Sequence, residues 1–217
     1  MLVTAPALTG RVGVFADRRD AGVQLAALLG VLRGTDTLVV AIPAGGVPVA
    51  AALADALALE LAVAPVSKVL FPWTTEAGFG AVAFDGTVWL DDVLISRHRL
   101  TELQVSRAVA DARAKVERRA HRWPKPQVQG RAVVLVDDGI AGGATMRTAL
   151  AAMKDARQVN VAVPTAHEAA LSLFEPLVTR LAVANVRGGR EFAVASAYRA
   201  WDDVTEDEAA RWLARAR

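Results

Sequence analysis

The chain has 217 residues, 53% of them hydrophobic, a mean hydropathy of +0.30 and a formal net charge of only +2. That is enough apolar material for one sizeable core, with residues 1–217 reading as a single domain, and it excludes a disordered chain. The absence of cysteine excludes disulfides, thiolate metal sites and cysteine nucleophiles, and makes a cytoplasmic location the expectation.

No apolar run reaches membrane-spanning length, and Met1 to Gly10 has no basic segment ahead of an apolar one, so neither a membrane span nor a signal peptide is expected. Asp17 or Asp20 can cap a first helix over about Ala21–Leu32. Thr37 to Ile42 is a short continuous apolar run, as in a strand buried on both faces. Pro43-Ala44-Gly45-Gly46 breaks it, and Pro48 opens a helix to about Leu59. Leu61 to Val66 is the next strand. Phe79–Phe84 and Thr87–Leu90 flank Asp85-Gly86, which predicts a β-hairpin whose two turn residues both have positive φ.

A long helix follows over Thr101–Arg122, ended by Pro124 and Pro126. Arg131–Val136 is the most strand-like run in the chain. Helices over Thr145–Ala156 and His167–Phe174 and strands over Val159–Val163 and Leu181–Ala184 complete the alternation. Thr205 to Glu208 is a capping-box pattern that opens the last helix. Strands alternating with helices predict an α/β fold with a mainly parallel central sheet flanked by helices. In such sheets ligands bind beyond the carboxyl ends of strands, which directs attention to the loops after Ile42 and Val136.

The second loop reads Val136-Asp137-Asp138-Gly139-Ile140-Ala141-Gly142-Gly143-Ala144-Thr145. Its glycines let the backbone approach a ligand. The helix that opens at its end presents unpaired N–H groups and a positive dipole end, which suit a phosphate. Thr145 adds a hydroxyl donor. Asp137 and Asp138 repel a phosphate, so they should face a sugar diol or a hydrated Mg²⁺. The first loop, Pro43 to Gly46, also follows a buried strand, so its N–H groups can point at an anion; a simple turn leading into a helix is the plainer alternative.

Val133 to Thr145 resembles the ribose-phosphate loop of type I phosphoribosyltransferases. The resemblance implies that Asp137 and Asp138 contact the ribose 2′- and 3′-hydroxyls, and that Gly139 to Thr145 hold the 5′-phosphate of phosphoribosyl pyrophosphate. Gly142 stands where a Thr is usual. Ala41 to Val49 resembles the pyrophosphate loop of a bacterial subgroup of this family, with Ala44 where that subgroup has Arg. Phe15 to Gly22, Lys68 to Val82 (including Glu76, Gly80 and Ala81), Phe192 to Val194, Ala197-Tyr198 and Val204 to Glu208 resemble further segments of the same subgroup. The resemblance places Lys68 near the pyrophosphate and adds a small hood built from terminal or inserted segments. It implies transfer of ribose 5-phosphate from phosphoribosyl pyrophosphate to a small nitrogenous acceptor, with Mg²⁺ bridging the pyrophosphate and the ribose hydroxyls. It does not name the acceptor.

Three features remain. Arg97–Lys125 holds nine Lys/Arg against three Asp/Glu, whereas the rest of the chain is net acidic. This basic helix is expected to be a solvated or homo-oligomer face rather than a nucleic-acid platform, although a non-enzymatic nucleotide sensor with an RNA-binding face is the rival reading. Phe71 and Trp73 are expected to pack, or else to stack on an aromatic acceptor. His98, His121 and His167 show no metal-ligand spacing, and no dinucleotide-binding Gly motif follows the first strand.

Overall fold

The computed structural model of the chain describes residues 1–75, 77–123, 125–189 and 191–215. Strands and helices run in the order β1 (Leu2–Thr4), α1 (Arg18–Leu28), β2 (Leu38–Ala41), α2 (Gly46–Leu57), β3 (Glu60–Val63), β4 (Val66–Leu70), β5 (Gly78–Ala83) and β6 (Val88–Leu90). They continue with α3 (Asp92–Arg97), α4 (Glu102–Arg122), β7 (Ala132–Val136), α5 (Ala144–Ala151), β8 (Gln158–His167), α6 (Glu168–Phe174), β9 (Arg180–Arg187) and α7 (Glu206–Arg215). Six strands form one parallel sheet in the order β1-β9-β8-β7-β2-β3. The remaining three, β4-β5-β6, form a small antiparallel sheet inserted with α3 and α4 between β3 and β7. The α/β class, the parallel central sheet and the inserted hairpin are therefore as expected.

β7 and β2 are adjacent inner strands of the large sheet, and every residue of both is buried. Their side chains alternate between two apolar layers. Val39, Ala41, Val134 and Val136 pack with α1 and α2, while Leu38, Val40, Val133 and Leu135 pack with Met146 and Ala149 of α5. A strand buried on both faces needs no polar alternation, which is why both read as continuous apolar runs. A third cluster joins Val69, Phe79 and Val82 of the small sheet to Ala112 and Val116 of α4.

Local chemistry moves several boundaries. The Asp17 carboxylate accepts the Asp20 N–H at 2.8 Å, so α1 starts at Arg18, three residues before the expected Ala21. Pro48 lies inside the first turn of α2, where it costs no intrahelical hydrogen bond, so the helix starts at Gly46. The run Leu61–Val66 is two strands, not one. Ala64 N–H donates to Ala41 O at 2.9 Å, Pro65 has no N–H to continue the ladder, and Val66 begins the other sheet opposite Ala83. In the hairpin only Gly86 has positive φ, at 90°. The turn is closed by Gly86 N–H to Ala83 O at 3.0 Å, and the Asp85 carboxylate accepts Thr87 N–H at 2.9 Å. Helix α3, capped by Asp91, and strand β1 are too short to have a clear period. α4 has the reciprocal Thr101–Gln104 capping box. It ends at Arg122, and Pro124 lies outside the described residues. β8 runs through Pro164 to His167, because β9 continues to pair with it past the end of β7. Among the described residues no helix is long and apolar enough to cross a membrane.

Candidate functional site

The chain leaves β2 and β7 at neighbouring points but continues on opposite faces, to α2 on one side and α5 on the other. This divergence makes the crevice where open α/β sheets bind ligands. Ile42 N–H donates to Val136 O at 2.8 Å and ties the two loops together at their base. Gly46 has no room for a side chain, since a Cβ would lie 2.8 Å from Val136 O and 2.9 Å from Asp137 Cα. A Cβ on Gly45 would meet the Asp138 carboxylate. These two glycines bring the acids against the Pro43 loop. The Pro43–Ala44 peptide is cis.

Asp137 Oδ1 accepts the Asp138 N–H at 2.9 Å. Asp138 Oδ2 accepts from Arg18, through Nε at 3.0 Å and Nη2 at 3.0 Å, and the side chains of this pair are only 10% and 16% exposed. Arg18 also donates to Asp202 O at 2.8 Å and lies 3.8 Å above the Trp201 ring. The Tyr198 hydroxyl donates to Asp138 O at 2.6 Å. Burial, and then the Asp138 charge, raise Asp137 well above the usual carboxylate range. Burial also raises Asp138, although the Arg18 guanidinium pulls it back. Burial and the Asp138 charge push the Tyr198 hydroxyl well up, so it remains a donor.

Beyond the acids the loop rises and returns. Gly139 passes under Val194, where a Cβ would come within 2.5 Å of a methyl group. Ile140 is buried and bonded both ways to the end of β8, with Ile140 N–H to Thr165 O at 3.0 Å and His167 N–H to Ile140 O at 2.9 Å. Ala141 and Gly142 are exposed, and a Cβ on Gly142 would meet nothing within 4 Å. Gly143 turns the chain at φ 79° into α5. Within α5 the first paired N–H is that of Arg147, to Gly143 O at 2.8 Å, so those of Ala144, Thr145 and Met146 emerge at the helix start.

The opposite wall comes from the inserted segment. Arg119 of α4 is buried, donates to Glu206 Oε1 at 2.8 Å and reaches the carbonyls of Pro43 and Val66. Lys68 of β4 and Lys115 of α4 line the same wall. Together the walls enclose an open cavity of about 840 Å³, within the range of small-molecule sites. Ala44, Gly45, Lys68, Asp137, Asp138, Gly139, Ile140, Ala141, Gly142, Gly143, Ala144 and Thr145 all line it. Gly46 does not; its N–H donates to Ile42 O at 3.1 Å, and it serves as a spacer under Asp137.

Sequence reasoning does not find Arg18, the buried partner of Asp138. It lies within the Phe15–Gly22 segment of the resemblance, which gives it no role, and its local signal, Asp17 to Asp20, reads as a helix cap. One residue of the basic helix departs from expectation: Arg119 is buried, whereas Lys115 is exposed and lines the cavity. Phe71 packs against Phe79 and His98, whereas Trp73 stacks on Phe71 at 5.1 Å and stays 59% exposed. Trp201 joins the cavity wall and Tyr198 packs beneath it. Glu76 lies outside the described residues.

Among the described residues no cluster of three His, Cys, Asp or Glu could hold a metal unaided. The adjacent carboxylates of Asp137 and Asp138 nevertheless fit a Mg²⁺ that takes its other oxygens from substrate and water, the usual habit of this ion. Their raised affinity for protons is the electrostatic strain that such a cation relieves.

The phosphoribosyl transferase domain family model matches residues 24–181. Over 209 residues, 94% of this chain, the sequence is 34% identical to “Putative phosphoribosyl transferase Rv0571c” of Mycobacterium tuberculosis (strain ATCC 25618 / H37Rv). It is equally similar to “Putative phosphoribosyl transferase MT0597” of strain CDC 1551 / Oshkosh. The alignment takes in 47% of each, so the chain spans about half the length of the curated relatives it matches. The crystal structure of TT1426 from Thermus thermophilus is 34% identical, with a TM-score of 0.72, and the match covers 93% of this chain and 98% of that one. With the strand, paired acids, glycine turn and helix start assembled around one cavity, the chain belongs to the phosphoribosyl transferase domain family.

Proposed function

We propose that residues 1–217 act as one Mg²⁺-dependent phosphoribosyltransferase unit, which transfers ribose 5-phosphate from phosphoribosyl pyrophosphate to a small nitrogenous acceptor. The observation that carries this reading is the polarity of the cavity. Paired carboxylates lie at its floor, a helix N-terminus at one end and lysines on the facing wall. A phosphorylated sugar diol with an anionic leaving group has the same order of charges.

In this reading the N–H groups of Ala144 and Thr145, with the Thr145 hydroxyl, hold the 5′-phosphate at the start of α5. Asp137 and Asp138 accept hydrogen bonds from the ribose hydroxyls and orient C1. Asp137 and Asp138 would hold a Mg²⁺ ion, which would supply positive charge to offset the charge of the leaving group. Lys68 stabilises charge on the leaving group. The bond from C1 to the pyrophosphate oxygen breaks with its electron pair going to pyrophosphate. The acceptor nitrogen forms the new bond to C1 and loses its proton to solvent or to a phosphate oxygen. No side chain stands out as a general base, so the rate comes from positioning and charge stabilisation.

In this reading the acceptor lies against Val194, Trp201, Asp203 and Val204, which also line the cavity. One observation favours a binding-only reading, in which the chain senses a nucleotide: Asp138 Oδ2 is already held by Arg18. The RNA-binding version of that reading loses Arg119 to the interior. The deciding experiment incubates the protein with phosphoribosyl pyrophosphate, Mg²⁺ and a panel of nucleobases and other amines, and reads pyrophosphate release. Acceptor-dependent release supports the transferase. Tight binding with no release for any acceptor replaces it with the sensor.

A further inference from the structure

The Pro43–Gly46 loop has no side chain that can pair with an anion, yet the cavity beside it is rich in positive charge from another element. Lys115 and Arg119 are four residues apart on α4 and share one face. Arg119 anchors that face by reaching the Pro43 and Val66 carbonyls. Lys115 is thereby held one helical turn away, along the same wall as Ala44, Gly45 and Lys68. Among the described residues Lys115 makes no hydrogen bond or ion pair. The Glu206 carboxylate, which draws its charge, already accepts from Arg119 at 2.8 Å.

Resting on the phosphoribosyl reading of the cavity, we infer that Lys115 of α4 supplies the side-chain charge for the pyrophosphate group at the Pro43–Gly46 loop, where Ala44 supplies none.

Three physical points support this. First, the cavity is polarised. Asp137 and Asp138 sit on the sheet side, with Arg18 committed to Asp138, while Lys68, Lys115 and Arg119 face them from the inserted segment. Second, Lys115 is already under electrostatic pressure. Burial, then Arg119, and further Arg118 and Lys68 hold its ammonium below the ordinary lysine range. An anionic group entering between these cations relieves that repulsion. Third, Arg119, one turn along the same face of α4, donates to the Pro43 carbonyl, so this face of the helix lies against the Pro43–Gly46 loop. An ammonium on a four-carbon stem acts as a point charge on phosphate and needs no fork geometry.

The test is calorimetric titration of wild type, Lys115→Met and Lys115→Arg with two probes in Mg²⁺ buffer, inorganic pyrophosphate and ribose 5-phosphate. Lys115→Met should weaken pyrophosphate binding on the order of 10-fold, the loss of one charge-assisted contact, and leave ribose 5-phosphate binding unchanged. Lys115→Arg should retain most of the pyrophosphate affinity. Circular dichroism and a second neutral variant, Lys115→Gln, guard against a folding defect. Wild-type affinity for pyrophosphate in both neutral variants, or an equal loss for both probes, overturns the inference while the phosphoribosyl reading stands. A wild-type protein that binds neither probe overturns that reading and the inference with it.

Discussion

The two loops that leave the adjacent strands β2 and β7 are built on opposite plans. The loop after β7 carries its own chemistry: two acids, three glycines and a helix N-terminus within nine residues, 137 to 145. The loop after β2 carries shape but no charge. Its glycines make room for Asp137 and Asp138, and its cations come from α4, some seventy residues further along the chain. The difference shows that a binding site can be written locally in one strand–loop–helix unit and non-locally in its neighbour. Only the first kind is visible as a motif.

The sharpest way to break this comparison is to remove the local charge. Asp138→Asn should weaken phosphoribosyl pyrophosphate binding by about 10- to 100-fold, the range for a hydrogen bond to a charged group. It also leaves Arg18, itself only 10% exposed, facing a neutral amide, so circular dichroism must accompany the titration. Unchanged affinity in a folded variant would remove this acid from the site and make the two loops alike.

The shape of the other loop is tested by Gly46→Ala. The added methyl would press on the Val136 carbonyl and the Asp137 backbone, and neither can swing aside. A cost of about 1–3 kcal/mol in urea unfolding is expected, as for other overpacked sites. Gly142→Ala, which meets nothing within 4 Å, should stay within about 0.5 kcal/mol of wild type. Equal stability in both variants would mean that Gly46 is not a spacer.

The same contrast explains what is legible in the sequence. β2 and β7 are clear because strands buried on both faces form unbroken apolar runs, and the loop after β7 is clear because its parts are consecutive. Arg18 is not, because its partner lies 120 residues away and its own neighbours read as a helix cap. Lys115 and Arg119 are hidden for a related reason. A count of charges along α4 cannot say which turn faces a cavity, and the inserted sheet that decides it is assembled by tertiary contacts. The split of Leu61–Val66 into two strands turns on Pro65 and on which neighbour each half finds. No local period distinguishes those cases.

Asp137 gives a subtler test of how far the loop after β7 sacrifices stability for binding. Burial and the Asp138 charge raise its pKa in the folded protein. The folded state therefore keeps a proton that the unfolded chain has released. Stability falls as pH rises from the ordinary carboxylate range through the raised value, and the penalty is full above it. Asp137→Asn keeps the oxygen that accepts the Asp138 N–H but carries no charge. In chelator-containing buffer its melting temperature should exceed that of wild type at neutral pH, with the gap closing as the pH is lowered toward about 4, the ordinary carboxylate value. A gap that is constant with pH would show that Asp137 is ionised without penalty.

The smallest expected effect, and the most informative about the family comparison, comes from Gly142. A hydroxyl-bearing residue is usual there in related ribose-phosphate loops. In this chain the position is exposed, its φ lies outside the left-handed region, and a Cβ would find open space. Gly142→Thr should therefore fold without strain and place one more donor beside the start of α5. A neutral hydrogen bond contributes about 0.5–1.5 kcal/mol, which is roughly a 2- to 12-fold gain in affinity for ribose 5-phosphate. Ala44→Arg is the corresponding change in the other loop, but its guanidinium would join a wall that already holds Lys68, Lys115 and Arg119. In the wild-type background it should add little to pyrophosphate binding. In the Lys115→Met background it should restore what was lost, because the charge is then needed. If Ala44→Arg instead tightens pyrophosphate binding in wild type as much as in Lys115→Met, the two positions act independently and α4 does not stand in for the loop. If Gly142→Thr binds ribose 5-phosphate no better while remaining folded, the 5′-phosphate does not sit against this turn.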